Sequence, residues 1–522
     1  MNRPLRFLLP ALVAGLVACP EQRTEPRGER PPQATLSAGA SPPLDVLTLR
    51  RPGGPEWYGV YLAGKKAGYQ ENRIDREIRD GREVVVARSE QLVKASVGGK
   101  QVERGESEER VYEARPGGRL LSFQTTFRGD GGDRQLFGSC IRDRCTVRIQ
   151  APGTPAEQRI LEGVTETVEQ ADPARLAAER RATVRGRQIE TLKLRVREME
   201  DVYQGRQAVA GGGVQEEVSV VSETEVGDRL AIEYRVADDG RIVEVTEGEA
   251  IVIRPETEAQ AKSLEDVDLL ELGRVPLPRP VPRQVPAAVT YRLSGLPTAF
   301  WKNDARQRYE KGPGGTALLT VTARPPAAAD PARDTPLSKA ADGADREDLE
   351  PTLEADADAP AVAALARQVA GGAPGAYAAA RLLSDHVYKL LKKAYGASHD
   401  RASDVLVAEE GDCTEHSILT VALARALHIP AREVQGLVYA RYADGQDALY
   451  WHAWVEIRSA GEWIAIDPTF GQAVADASHI ALGSGNRLDT VGLLGSLKVA
   501  DVEVRETTAR GRPAPAKEPR TR

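Results

Sequence analysis

Two periodicities divide the chain. From Trp57 to about Arg254, apolar and polar residues alternate in short runs separated by turn residues, the pattern of strands with one buried face. Gly59-Val60-Tyr61-Leu62 runs into Ala63-Gly64, Val84-Val85-Val86 follows Asp80-Gly81, and Ile232 to Val236 precedes Asp239-Gly240. Hairpins in succession predict an antiparallel sheet that closes partway, as a half-barrel. Asp172 to Arg181 reads as a helix within it. After Pro360 the period lengthens. Helices are expected at Pro360–Ala370 and Ala376–Lys393, the second with Leu382, Leu383, Val387, Leu390 and Leu391 on one stripe. A third runs from Cys413 to Leu427 and stops near Pro430. Strands follow at Glu433–Tyr439, Leu449–Arg458 and Glu462–Asp467, so this part is an α+β domain.

The boundaries follow from these patterns. Residues 46–274 form an antiparallel all-β domain and 275–286 a proline-rich linker. Residues 287–330 form a small β unit, 331–349 a loose linker, 350–500 the α+β domain and 501–522 a polar tail. At the N-terminus, Arg3 and Arg6 precede an apolar run, Phe7 to Val17, too short to span a bilayer and suited to a secretory signal. The run ends Leu16-Val17-Ala18-Cys19, which resembles a bacterial lipobox. The reading is a signal over 1–19, lipidation at Cys19, and a flexible tether over 20–45. The protein is then exported and membrane-anchored, facing the periplasm.

Composition narrows the chemistry. Seventy Lys and Arg against 77 Asp and Glu give a net charge of −7, with no global electrostatic reason to bind nucleic acid. Four cysteines are too few for a disulfide scaffold or a multi-cysteine metal site. In an exported protein Cys140 and Cys145 suit a short hairpin disulfide; a two-ligand metal site is the alternative, disfavoured because no histidine precedes His386. Gly211-Gly212-Gly213 lacks the Lys-Ser/Thr of a phosphate loop. Glu354 to Asp358 lacks the glycine and distal glutamate of a calcium loop, and reads as helix N-terminal charge. No metal and no cofactor are expected. With the other three cysteines assigned, Cys413 is left as a free thiol that needs a reason.

That thiol opens the third helix, in Gly411-Asp412-Cys413, where unpaired N–H groups and the helix dipole favour a thiolate. In the strand Tyr450 to Glu456, His452, Trp454 and Glu456 share a face; in the next, Trp463, Ala465 and Asp467 do. A tight turn near Ser459-Ala460 sets His452 directly opposite Asp467, whereas a one-residue slip would put them on opposite faces. The result is a Cys–His–Asp arrangement in which histidine takes the thiol proton and the carboxylate fixes its tautomer.

From about Pro360 to Leu482 the chain resembles the transglutaminase-like superfamily, relatives of papain-type thiol enzymes. Gly411 to His416 is similar to the family's nucleophile motif, Leu423 to Arg432 to the segment after it, His452 to Glu456 to its histidine strand, and Asp467-Pro468-Thr469 to its aspartate strand. The resemblance implies a papain-like core with Cys413 as nucleophile, His452 as base and Asp467 as orienter. It implies that His416 packs and that Glu415 is a buried anchor. No tryptophan lies between Lys302 and Tyr450, so neither the oxyanion tryptophan nor the calcium dependence of the animal enzymes carries over. The expected activity is thiol acyl transfer on peptide or protein amides in the cell envelope, by hydrolysis or amide exchange. The alternative is a non-catalytic scaffold lipoprotein whose β domain binds an envelope partner. His479, in Asp476-Ala477-Ser478-His479, has no assigned role.

Overall fold

The computed structural model describes residues 54–505, apart from 98, 130–131, 153–155, 173–175, 178–182, 212–213, 282–286, 324, 395, 397–398, 442–446 and 485–489. The signal, the tether and Cys19 lie outside these residues, as does most of the helix expected at Asp172–Arg181.

Between Glu56 and Glu256 the alternation produces, among the described residues, fourteen strands in one antiparallel sheet. Each strand pairs with its chain neighbour, except that Glu157–Glu162 and Thr183–Glu190 are the two edges. The first strand, Glu56–Leu62, also pairs with the last, Ile251–Glu256, so it lies inside the sheet. Ala63-Gly64 and Asp80-Gly81 take positive φ at both positions, as a two-residue hairpin turn that matches strand twist requires. The sheet curls until its ends approach: just past the edge strand Glu157–Glu162, the Thr165 N–H donates to the carbonyl of Arg187 on the other edge strand at 2.9 Å. Arg110 donates to the carbonyl of Ile189 at 3.0 Å and to Glu108 and Glu166, while Glu166 accepts from Tyr112 and from the Ile189 N–H. Burial alone would raise the Glu166 carboxyl; Arg110 and Tyr112 outweigh it and hold it below its ordinary range. Cys140 and Cys145 face each other across a hairpin and are bonded.

The C-terminal α+β domain has four helices that position the site: α1 (Pro360–Ala370), α2 (Ala376–Leu390), α3 (Ala402–Ala408) and α4 (Cys413–Ala426). Ala366, Ala370, Ala376, Ala379 and Ala380 are small enough to let α1 and α2 close on the Leu419, Ala422 and Leu423 stripe of α4. Leu382, expected on the buried stripe of α2, is instead exposed. The sheet comprises β1 (Val275–Pro276), β2 (Ala431–Arg441), β3 (Asp447–Ser459), β4 (Glu462–Ile466) and β5 (Ile480–Ser484). Its order is β1-β3-β2-β5, with β4 also on β3. Val455, Ile457, Ile464 and Ile466 pack against the helices. No helix among the described residues is long and apolar enough to cross a membrane.

Three segments differ from the expected boundaries. Val275 and Pro276 are not linker but an edge strand paired with Leu449 and Ala448, where a proline costs no interior ladder bond. The loose stretch before residue 350 is pinned by Asp334, which accepts from the N–H groups of Tyr377 and Ala378 and from Ser459 Oγ. The presumed tail begins as a strand, Lys498–Arg505, which completes the small β unit against Ala288–Ser294. The two large parts meet through Arg104–Asp400 at 3.0 Å, Arg401–Glu157 at 3.2 Å and Arg159–Asp358 at 3.3 Å.

Candidate active site

Cys413 is the first residue of α4, and the sequence around it closes a capping box. Asp412 accepts from the Thr414 N–H at 2.9 Å, and Glu415 reaches back to the Asp412 N–H at 2.9 Å. The other Glu415 oxygen accepts from the His399 N–H at 3.3 Å, tying the loop after α2 to the helix start. A Cβ at Gly411 would lie 2.3 Å from the Cβ of Glu415, so only glycine fits beneath this box. Burial, then the adjacent Asp412, push Glu415 well above the usual carboxyl range, while the backbone N–H groups it accepts pull the other way.

The thiol is 8% exposed and is the only free cysteine among the described residues. Burial, then the negative Asp412, raise it well above its ordinary value, while a hydrogen bond from the Ala453 backbone pulls the other way. Burial and Asp412 thus oppose the thiolate that the helix start favours, and a positive partner would offset them.

His452 is the residue before Ala453 on β3. Its Nε2 lies 2.8 Å from Asp467 Oδ2, both groups buried. With Nε2–H donated to the carboxylate, Nδ1 is the nitrogen left for proton exchange. Phe470 stacks on the imidazole at 4.8 Å and 12°. The hairpin that brings them together turns one residue later than the sequence reading placed it. Ala460 and Gly461 adopt positive φ, and Ser459 pairs with Glu462. The register runs to Val455–Ile466, so Asp467 falls beyond the ladder, diagonal to His452 rather than directly opposite. The shift moves the partner by two residues and so preserves the shared face.

Asp467 is held at every oxygen. Oδ1 accepts from the N–H groups of Thr469 at 2.7 Å and Phe470 at 3.0 Å, an Asx turn of its own making. Oδ2 accepts from His452 and also from His479 Nε2, at 2.9 Å. Burial opposes the charge, but His452 and His479 together hold the carboxyl far below its usual range. His479 Nδ1 lies 3.1 Å from Asp476 Oδ1. Gly436 makes this possible: it is opposite His452 on β2, and a Cβ there would meet the Ile480 carbonyl at 1.9 Å. With glycine, β5 approaches and carries His479 to the carboxylate.

Sequence reasoning named His479 without deciding its role and missed Phe470. A signal existed for His479 in the Asp476–His479 spacing; for Phe470 there was none beyond its place after Asp467-Pro468-Thr469. His416 is fully buried, with Nδ1 donating to the Asp412 carbonyl at 2.6 Å, and burial lowers its basicity, so it is a neutral packed ring. Trp454 is likewise wholly buried, stacked near His452 and edge-on to His479. Cys140 and Cys145 belong to the N-terminal sheet and not to this cluster. His452, Asp467 and His479 offer ligand-type atoms within 4.8 Å of one another, but both imidazoles point at the carboxylate with hydrogen-bond lengths, which accounts for the cluster without an ion. A cavity of about 910 Å³ between the two large parts, lined by Lys193, Glu354, Arg425 and Glu433, does not include Cys413, His452 or Asp467.

Residues 363–468 match the family model of the transglutaminase-like superfamily. No curated protein matches the chain. Among solved structures, a candidate cysteine protease from Cytophaga hutchinsonii is similar at 18% identity, over 42% of this chain and 86% of that one, with a TM-score of 0.27. A β-barrel-like protein of unknown function from Brucella abortus is similar at 12% identity, over 42% of this chain and 97% of that one, with a TM-score of 0.30. The periplasmic domain of TgpA from Pseudomonas aeruginosa is similar at 18% identity, over 38% and 67%, with a TM-score of 0.22.

Proposed function

We propose that this chain, which carries a transglutaminase-like domain at residues 363–468, is an envelope-anchored thiol acyl-transfer enzyme acting on peptide or protein amides. The reading rests on the His452–Asp467 bond of 2.8 Å beside a thiol held by the Ala453 N–H. The Cys413 proton passes to His452 Nδ1, and the thiolate attacks the amide carbonyl, forming a C–S bond and a tetrahedral oxyanion. His452 returns the proton to the leaving nitrogen as the C–N bond breaks, giving a thioester and a free amine. Water, deprotonated by His452, then releases a carboxylic acid, or a second amine releases a new amide. The buried thiol is raised, not lowered, at rest, so thiolate formation is coupled to His452 protonation within the site.

That same burial favours the second reading, a scaffold whose β domain binds an envelope partner. A peptide vinyl sulfone separates the two. The enzyme forms a mass adduct at Cys413 that His452→Ala slows by about 10²-fold or more, the scale of a lost general base. A thiol that reacts at the same slow rate in both proteins supports the scaffold. Anchoring is tested separately. With the lipobox cysteine replaced, Cys19→Ser is expected to leave the membrane fraction while keeping its fold, as the flexible-tether reading of residues 20–45 implies. Retention of that variant in membranes would identify another anchor.

A further inference from the structure

We propose that His479 is a positioning residue: a fixed imidazolium behind Asp467 that sets the pH window of the Cys413–His452 pair. The inference rests on the catalytic reading above. Each ring nitrogen of His479 faces a carboxylate, Nε2 on Asp467 Oδ2 at 2.9 Å and Nδ1 on Asp476 Oδ1 at 3.1 Å. A neutral imidazole has one N–H and one lone pair, so one of these contacts would set lone pair against oxygen. Neither carboxylate is free to supply the missing proton. Asp467 already accepts from Thr469, Phe470 and His452. Asp476 Oδ1 accepts from the Ser478 N–H at 2.8 Å and Ser478 Oγ at 2.6 Å, and its Oδ2 accepts from Gln472 Nε2 at 2.9 Å. The ring is wholly buried, where an unmatched charge would be costly, yet here it sits between two opposite charges. Burial would lower its basicity, and the two carboxylates overcome that and raise it.

The surroundings hold few other charges. Arg306 is turned to the carbonyls of Ala475 and Asp476, the Tyr291 hydroxyl is raised by burial and then by Asp476, and Trp454 and Phe470 present ring edges. The His452 ring is 5.8 Å from that of His479, and Cys413 feels the negative charge of Asp467. A permanent cation at this place offsets Asp467 as seen from both reacting groups. Every proton in the site then leaves more readily than it would beside a bare carboxylate. Removing the cation should move both protonation steps of the Cys413–His452 pair to higher pH, whereas a residue that only packs would change amplitude and leave both steps in place.

The test uses the full-length protein with ¹⁵N-histidine labelling, together with iodoacetamide alkylation of Cys413 followed by peptide mass mapping across pH. One histidine is expected to stay doubly protonated where a free imidazole is neutral, and His479→Gln should delete that resonance. In His479→Gln, which removes the cation, both alkylation steps should rise by about one pH unit. A His479 that is neutral at pH 7 overturns the inference, as does an unchanged alkylation curve in folded His479→Gln. Those outcomes leave the acyl-transfer reading standing. A wild-type curve that His452→Ala does not alter overturns both.

Discussion

Cys413→Ala is expected to leave a folded protein with no measurable acyl transfer. The substitution removes the atom that forms the C–S bond, and no second free thiol exists among the described residues to take its place. Loss of a nucleophile from a triad costs about 10⁴-fold or more. The fold should tolerate it. The capping box that starts α4 uses Asp412 and Glu415, not the sulfur, and alanine fits a site that held a thiol. The stability change should stay within about 1 kcal/mol. The measurement is release of amine from amide-linked peptides, beside a thermal melt. Turnover at the wild-type rate would remove Cys413 from the mechanism and promote the scaffold reading.

Asp467→Asn is expected to lower kcat by about 10²- to 10⁴-fold with little change in KM, the behaviour of a triad that has lost its carboxylate. The hydrogen bonds specify why. Both imidazoles donate to Oδ2, and Oδ1 takes two backbone N–H groups. An asparagine must put its NH₂ against one of these pairs of donors. Facing the imidazoles, it forces His452 to accept at Nε2 and to carry its proton on Nδ1, the nitrogen that should be free to take one from sulfur. Facing the turn, it breaks the Asx bonds that fix Phe470 over the ring. Asp467→Asn with wild-type kcat would mean that His452 is oriented by something else. The circular dichroism spectrum should not move in either case, which separates this outcome from unfolding.

Much of this site was legible because it is encoded by parity and by helix starts. Asp412-Cys413 preceding an apolar stripe marks the beginning of α4, and period-2 alternation assigns His452 and Asp467 to one face whichever way the hairpin turns by two residues. The exact register was not legible. Both Ser459-Ala460 and Ala460-Gly461 can turn, and what selects the latter is the left-handed backbone at Ala460 and Gly461, with the Ala460 N–H bound by Thr335 Oγ1 from a distant loop. The role of His479 was not legible for a similar reason: its partner, Asp467, is reached only because Gly436 lets a third strand come close. The burial that opposes a thiolate at Cys413 was not legible, because it comes from the packed environment, whereas Asp412 stands beside it in the sequence. In the N-terminal sheet, hairpins were readable one by one. That Val275-Pro276 and Lys498–Arg505 join sheets far from their neighbours in sequence was not, since an edge partner leaves no periodic trace.

The central position of Glu56–Leu62 has a kinetic side. On one flank this strand has Lys65–Arg79, available at once through a two-residue turn. On the other it has Ile251–Glu256, whose residues lie almost two hundred positions away. Loop closure over that distance comes late and is slow compared with hairpin formation. A chain emerging from its N-terminus therefore holds the second edge of its first strand open until the rest of the sheet has been made. Across that interval Val60 and Leu62, both fully buried in the finished protein, face water beside an unpaired row of backbone groups. The first strand of the β region is thus the last to gain both of its neighbours.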